Sequence, residues 1–231
     1  MANSVTIPRS AFSFLKMLKA NNNRPWFEAN KEDYLENLAT LEAFADGLLT
    51  ALNTHDRLET PTGKKSLYRI YRDVRFSKDK SPYKIYWGGH FTRAGRQRRG
   101  GYYYHFEPGN SRITGAFWGP SAPDLRLIRE DIAFDDRPLR KIITAKKFVD
   151  TFGTLQGEQL QRVPAGFDPA HPAADLLRYK QFLVIKTFTD KEVHSPNFLQ
   201  QASDAFLRMR PFLDHMSMIL STDANSDTAG K

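Results

Sequence analysis

An α+β fold, with a mostly antiparallel sheet packed against N- and C-terminal helices, is predicted by three observations. Apolar residues recur at helical spacing through the first fifty residues and again near the C-terminus. From Leu67 the period changes to two. The links between the period-two runs are short and carry Gly or Pro, which suits a meander of about four strands plus a later one. With 17 Phe, 9 Tyr and 3 Trp in a hydrophobic content of 40%, there is ample material for a core.

Phe12, Leu15 and Leu18 mark a first helix over 8–20, which Asn21-Asn22-Asn23 stops while offering a cap to the next. Pro25 suits the first turn of that second helix, expected to run to about Leu52 with Trp26, Tyr34, Leu38, Leu41 and Leu48 among its apolar positions. Strands are expected at 67–76, 84–93, 101–107 and 112–118. Beyond Pro120 and Pro123 come a helix over 124–133, shorter helices within 137–152, and a loop rich in Pro and Gly over 162–173. A helix near 174–180, a strand at Phe182–Phe188 and a last helix opening at Ser195 or Asn197 complete the order. No repeat or linker interrupts the chain, so a single domain over 1–220 is expected, with the polar tail 221–231 disordered.

Composition excludes several functions. No apolar run approaches the roughly 20 residues that span a bilayer, so no membrane partner is expected. The start of the chain has no charged or apolar export region, and the cytoplasm is the expected location. The absence of cysteine removes disulfides, thiolate metal sites and cysteine nucleophiles. The six histidines have no metal-ligand spacing, although His90 and His105 are near-symmetric about one hairpin tip. Gly63-Lys64-Lys65-Ser66 lacks the remainder of a phosphate-binding loop, and neither dinucleotide nor nucleophile-elbow motifs occur. No metal and no cofactor is therefore expected.

Charge is concentrated. The net charge is +8, and residues 64–99 carry twelve basic against two acidic side chains, so one segment holds the whole excess. Such a field favours anionic partners. Within it, alternation over a strand at 69–76 places Arg69, Tyr71, Asp73 and Arg75 on one face, with Ile70, Arg72, Val74 and Phe76 on the other. Asp73 is expected to orient Arg69 and Arg75 through charge-assisted bonds, leaving donors for an incoming anion. Arg72, on the apolar face, must be paired or must line a cavity. The turn Ser77–Pro82 brings Lys78, Lys80 and Lys84 to the arginines, with Tyr83 as a neutral donor.

These residues resemble a conserved bacterial and fungal family of unknown function whose signature is R-x-x-R-D-x-R-F-x-x-[DN]-K-x-x-Y. Arg69, Arg72, Asp73, Arg75, Phe76, Asp79, Lys80 and Tyr83 fill every fixed position. Asn21–Phe27 with Lys31 and Tyr34, and Val163–Pro172, are similar to its N- and C-terminal regions. The resemblance implies one domain and carries no catalytic role over to any residue.

Three functions fit this segment. The first is a pocket for a phosphorylated or polyanionic small ligand, with Arg69, Arg75 and Lys80 on the anion and Tyr83 donating a hydrogen bond. The second is nucleic-acid binding by the same cations, the Arg96–Arg99 tip and Tyr102-Tyr103-Tyr104 as a stacking surface. The third is an enzyme on a phosphoryl or glycosyl substrate, with Asp73 or His171 as acid/base.

Overall fold

The computed structural model describes residues 5–95 and 99–222. The predicted class holds: among the described residues, ten helices accompany one four-stranded antiparallel sheet of order β1-β2-β3-β4, about half the residues being helical. The strands are β1 (Trp87–Thr92), β2 (Gly101–Phe106), β3 (Ser111–Phe117) and β4 (Phe182–Phe188). Residue contacts divide the chain into two compact units.

The first unit comprises Met1–Phe91, Tyr103–Ile113 and Thr187–Asp204. It begins with α1 (Arg9–Ala20), which buries Phe12, Phe14, Leu15 and Leu18 as its spacing predicts. The expected second helix is instead two, α2 (Arg24–Ala29) and α3 (Lys31–Leu52). Asn23 caps α2 by accepting from the Trp26 amide, and Pro25 occupies the first turn, where no N–H is needed. Asn30 divides them: its side-chain amide donates to the Trp26 carbonyl at 2.8 Å, and its own backbone leaves the helical region. Glu32 and Asp33 then favour the start of α3 through the helix dipole.

A single-turn helix, α4 (Gly63–Ser66), sits so close to α3 that a Cβ on Gly63 would fall 2.3 Å from the Asp46 backbone nitrogen. The Asp46 carboxylate fixes that approach by accepting the Gly63 N–H at 2.5 Å. The core of this unit is aromatic. Trp87 stacks on Tyr34 and donates its indole N–H to the Ala11 carbonyl, while Phe44 contacts Phe106 and Phe198. A short helix, α9 (Asp190–Val193), opens on a capping box between Thr189 and Glu192.

The second unit comprises Thr92–Tyr102, Thr114–Lys186 and Ala205–Lys231. It holds α5 (Ala122–Phe134), α6 (Arg137–Ile143), α7 (Lys146–Phe152) and α8 (Ala174–Leu177). Arg129 of α5 ties down the end of α8 by donating to the carbonyls of Leu177 and Tyr179. Arg93 is fully buried here and pairs with Asp214. The last helix, α10 (Phe198–Thr222), tolerates Pro211 and runs two residues into the segment expected to be disordered. The remainder of that tail, and Arg96–Arg98 of the basic tip, lie outside the described residues. Among the described residues, no helix is long and apolar enough to cross a membrane.

The expected strand over 67–76 does not form. Two isolated bridges replace it, Leu67 with Gly89 and Tyr71 with Tyr83. The segment still runs back along 82–89, since the Arg72 N–H donates to the Pro82 carbonyl and the Lys84 N–H to that of Ile70. Pro82 has no N–H to return, so the ladder cannot continue past Arg72. Residues 73–81 close as a polar loop with a turn at Arg75-Phe76.

Candidate functional site

The segment 69–84 is anchored at one point to the end of α1. Asn22 makes a reciprocal amide pair with Tyr83, accepting its N–H at 3.1 Å and donating to its carbonyl at 3.0 Å. The Tyr83 ring is driven inward beside it, only 2% exposed and stacked on Phe27 at 4.1 Å between ring centroids. Burial raises the Tyr83 phenol above its usual range. Thus Tyr83, predicted as a ligand donor, fills the core beneath the segment.

The other signature residues hold the loop in shape. Arg72 is half-buried and paired: its guanidinium meets the Asp79 carboxylate and donates to the Ser81 carbonyl at 3.1 Å. Asp79 also accepts the Ser81 hydroxyl and N–H at 2.6 and 2.9 Å. These bonds, the Ser81 hydroxyl foremost and Arg72 after the Ser81 N–H, lower its carboxyl to about 2. Asp73 receives Arg75 in a two-point pair at 2.9 and 2.6 Å, which holds Asp73 below the ordinary carboxylate range. Arg69 is exposed and, among the described residues, has no carboxylate within ion-pair distance, so Asp73 orients one arginine and not two. Lys80 donates to the Val74 carbonyl, and Lys78 is exposed. Phe76, expected on the apolar face, is 96% exposed beside Arg75 because the chain turns there.

Arg72, Asp73, Asp79, Tyr83 and Lys84 line a cleft of about 720 Å³ within the first unit; Arg69, Arg75, Lys78 and Lys80 do not. Lys84 reaches it with its ammonium donating to the carbonyls of Arg69 and Tyr71, each at 2.5 Å. Burial, and secondarily the Arg72 charge, push this ammonium below the ordinary lysine range.

The facing wall comes from Lys19 and Asn22 at the end of α1 and from Tyr86, His105, Glu107, Asn110 and Arg112. His105 is buried under Tyr86, with ring centroids 4.2 Å apart. Its Nε2 lies 2.8 Å from Glu107 Oε2, and its Nδ1 lies 2.9 Å from the Tyr103 hydroxyl. An ionised Glu107 can only accept, which places the imidazole proton on Nε2 and makes Tyr103 the donor to Nδ1. Burial lowers the His105 pKa and outweighs the opposing bond from Glu107. The Tyr103 phenol is pushed up to about 12, chiefly by burial. Asn110 donates to the same Glu107 oxygen at 2.8 Å and accepts from Arg112 at 3.1 Å.

Every cleft carboxylate is therefore engaged: Asp73 by Arg75, Asp79 by Ser81 and Arg72, Glu107 by His105 and Asn110. Among the described residues, Lys19, Lys84 and Arg112 have no carboxylate within ion-pair distance.

The cationic loop was visible in the sequence, but its facing wall was not. Tyr103, His105 and Glu107 occupy alternate positions along β2 and just past its end, a period-two signal that could have exposed the relay. Lys19 and Arg112 carry no such pattern. His90 does not face His105; it lies against Tyr68, which also neighbours Tyr103. His171 is not among the cleft residues. It braces its own loop, Nδ1 accepting the Ala173 N–H and Nε2 lying 3.1 Å from the Ala133 carbonyl.

The model of a conserved hypothetical protein family, DUF2461, matches residues 10–215, and the chain belongs to that family. The chain matches no curated protein and no solved structure.

Proposed function

We propose that the cleft binds a phosphorylated or polyanionic small ligand. One observation carries this reading: three cations, Lys19, Lys84 and Arg112, line the cleft without carboxylate partners among the described residues, while the cleft's own carboxylates are already engaged. A volume of about 720 Å³ suits a small molecule. In this reading Lys84 and Arg112 contact the anion, and the amides of Asn22 and Asn110 fix its orientation. Arg72 adds field from a position its bonds to Asp79 and Ser81 make rigid. Contact thus passes from Arg69, Arg75 and Lys80 to residues on both walls, and Asp73 and Asp79 act as braces for the loop.

The test is thermal stabilisation by inorganic pyrophosphate, sugar phosphates, nucleotides and polycarboxylates. A ligand present at about 100 times its Kd stabilises the folded state by about 2.7 kcal/mol. Lys84→Ala and Arg112→Ala each remove a charge-assisted bond and are expected to weaken binding roughly tenfold or more. Absence of stabilisation by any of these compounds, or stabilisation that both variants retain in full, refutes the reading.

A further inference from the structure

Lys84 occupies an unusual position for a surface-segment lysine. Two of its three N–H bonds are spent on the carbonyls of Arg69 and Tyr71, both at 2.5 Å. The third tetrahedral position of Nζ is the one left for the cleft that Lys84 lines. Loss of the proton at that position breaks neither carbonyl bond, because the neutral amine keeps two N–H groups and places its lone pair where the proton was. Among the described residues, no carboxylate lies within ion-pair distance of this ammonium, and the Arg72 guanidinium opposes it. A desolvated lysine beside a second cation is a recurrent arrangement for an amine nucleophile.

We propose that Lys84 captures an anionic aldehyde or ketone as an imine in this cleft, with Arg112 and Lys19 holding the ligand's anionic group. The inference rests on the reading of the cleft as an anion site and adds the reactive group the ligand must carry. In the step, Nζ adds to the carbonyl carbon and a C–N bond forms. The nitrogen gives up both protons to the carbonyl oxygen, which departs as water, and its bonds to the Arg69 and Tyr71 carbonyls are released as the C=N bond forms. No oxidant, reductant or further reactant is consumed. Burial and the Arg72 charge lower the Lys84 pKa, the direction that favours the free amine the step consumes.

The experiment uses pyridoxal 5′-phosphate as the probe and pyridoxal as its uncharged counterpart. Each is incubated below stoichiometry with the intact protein, reduced with borohydride, and located by peptide mapping. The phosphorylated probe is expected to label Lys84 above any other lysine by about tenfold, because the cations lining the cleft concentrate an anionic aldehyde beside Nζ. Pyrophosphate is expected to suppress that label, and Arg112→Ala to remove the preference for the phosphorylated probe. Label spread over exposed lysines, or equal labelling of Lys84 by both probes, overturns the proposal. The wild-type map needs no variant at Lys84, so a folding defect in one cannot obscure the result. If pyrophosphate stabilises the protein while Lys84 stays unlabelled, the imine fails and the anion site stands. If neither occurs, both fail.

Discussion

His105 shows how burial and a hydrogen-bond partner can oppose each other on one ring. Glu107 favours the charged imidazolium, but burial beneath Tyr86 favours the neutral form more strongly, and the pKa is lowered. The sign for stability follows. An unfolded histidine takes up its proton near pH 6.5, whereas folded His105 resists it, so the unfolded state binds more protons once pH falls below that value. The stability contributed by His105 is complete above about pH 6.5 and declines as pH falls toward its folded pKa. Nitrogen NMR of the imidazole is expected to show His105 protonating at lower pH than a free histidine, with the neutral ring carrying its proton on Nε2. A midpoint at or above that of a free histidine contradicts this account. Lys84 shows the same dominance of desolvation for a group of opposite chemistry: its carbonyl bonds orient the nitrogen, and its surroundings decide its charge.

At the scale of elements, the pair between Asn22 and Tyr83 joins the end of α1 to the cationic segment. Asn22→Ala removes both bonds and leaves the Tyr83 N–H and carbonyl to find water. A cost of about 1–3 kcal/mol is expected, because one side of a part-buried pair is left unsatisfied. Amide exchange at Arg72, Tyr83 and Lys84 is expected to accelerate, whereas exchange in α3 is not; uniform acceleration throughout the chain argues against a local role. The same region shows where sequence periodicity succeeds and where it stops. β2 and β3 were legible as period-two runs and β4 as a short apolar run, each meeting a partner strand with which a ladder can form. The run at 69–76 has that pattern too, but the partner it meets contains Pro82, and period alone does not report a missing N–H across the ladder. Asn30 divided one expected helix into two through a side-chain bond to Trp26, a choice that propensity leaves to local context. α4 and α9, each of 4 residues, are too short to show a helical period.

At the scale of the whole chain, the concentration of charge in residues 64–99 sets how binding responds to salt. In the proposed site, Lys19, Lys84 and Arg112 meet the anion at short range, and the more exposed Arg69, Arg75, Lys78 and Lys80 add a longer-range field that counter-ions screen within about 8–10 Å. Pyrophosphate affinity is expected to fall between 50 and 300 mM KCl by roughly tenfold or less, because few ions are displaced. Binding of the same segment to a nucleic acid would instead lose about 10³-fold or more, the response of six or more phosphate contacts. Titrations at the two salt concentrations therefore separate a small anion from a polymer. The charge distribution behind this contrast was legible from composition alone. The cleft was not, because Lys19 and Arg112 join the loop only through the way α1 and β3 return to it, over separations that no local pattern spans.

The engagement of Asp73 and Asp79 within their own loop has a consequence for how this site can vary. Arg72, Asp73, Arg75 and Asp79 chiefly fold a strap, and the residues proposed to meet a ligand lie largely outside it. Shape and taste are thereby written in different parts of the chain. A lineage could exchange Lys19 or Arg112 and change its chemical diet while keeping the strap unaltered, whereas the loss of Asp79 would loosen the strap whatever the diet. Redesign of selectivity at the proposed site should begin at the facing wall and leave Arg72, Asp73, Arg75 and Asp79 untouched.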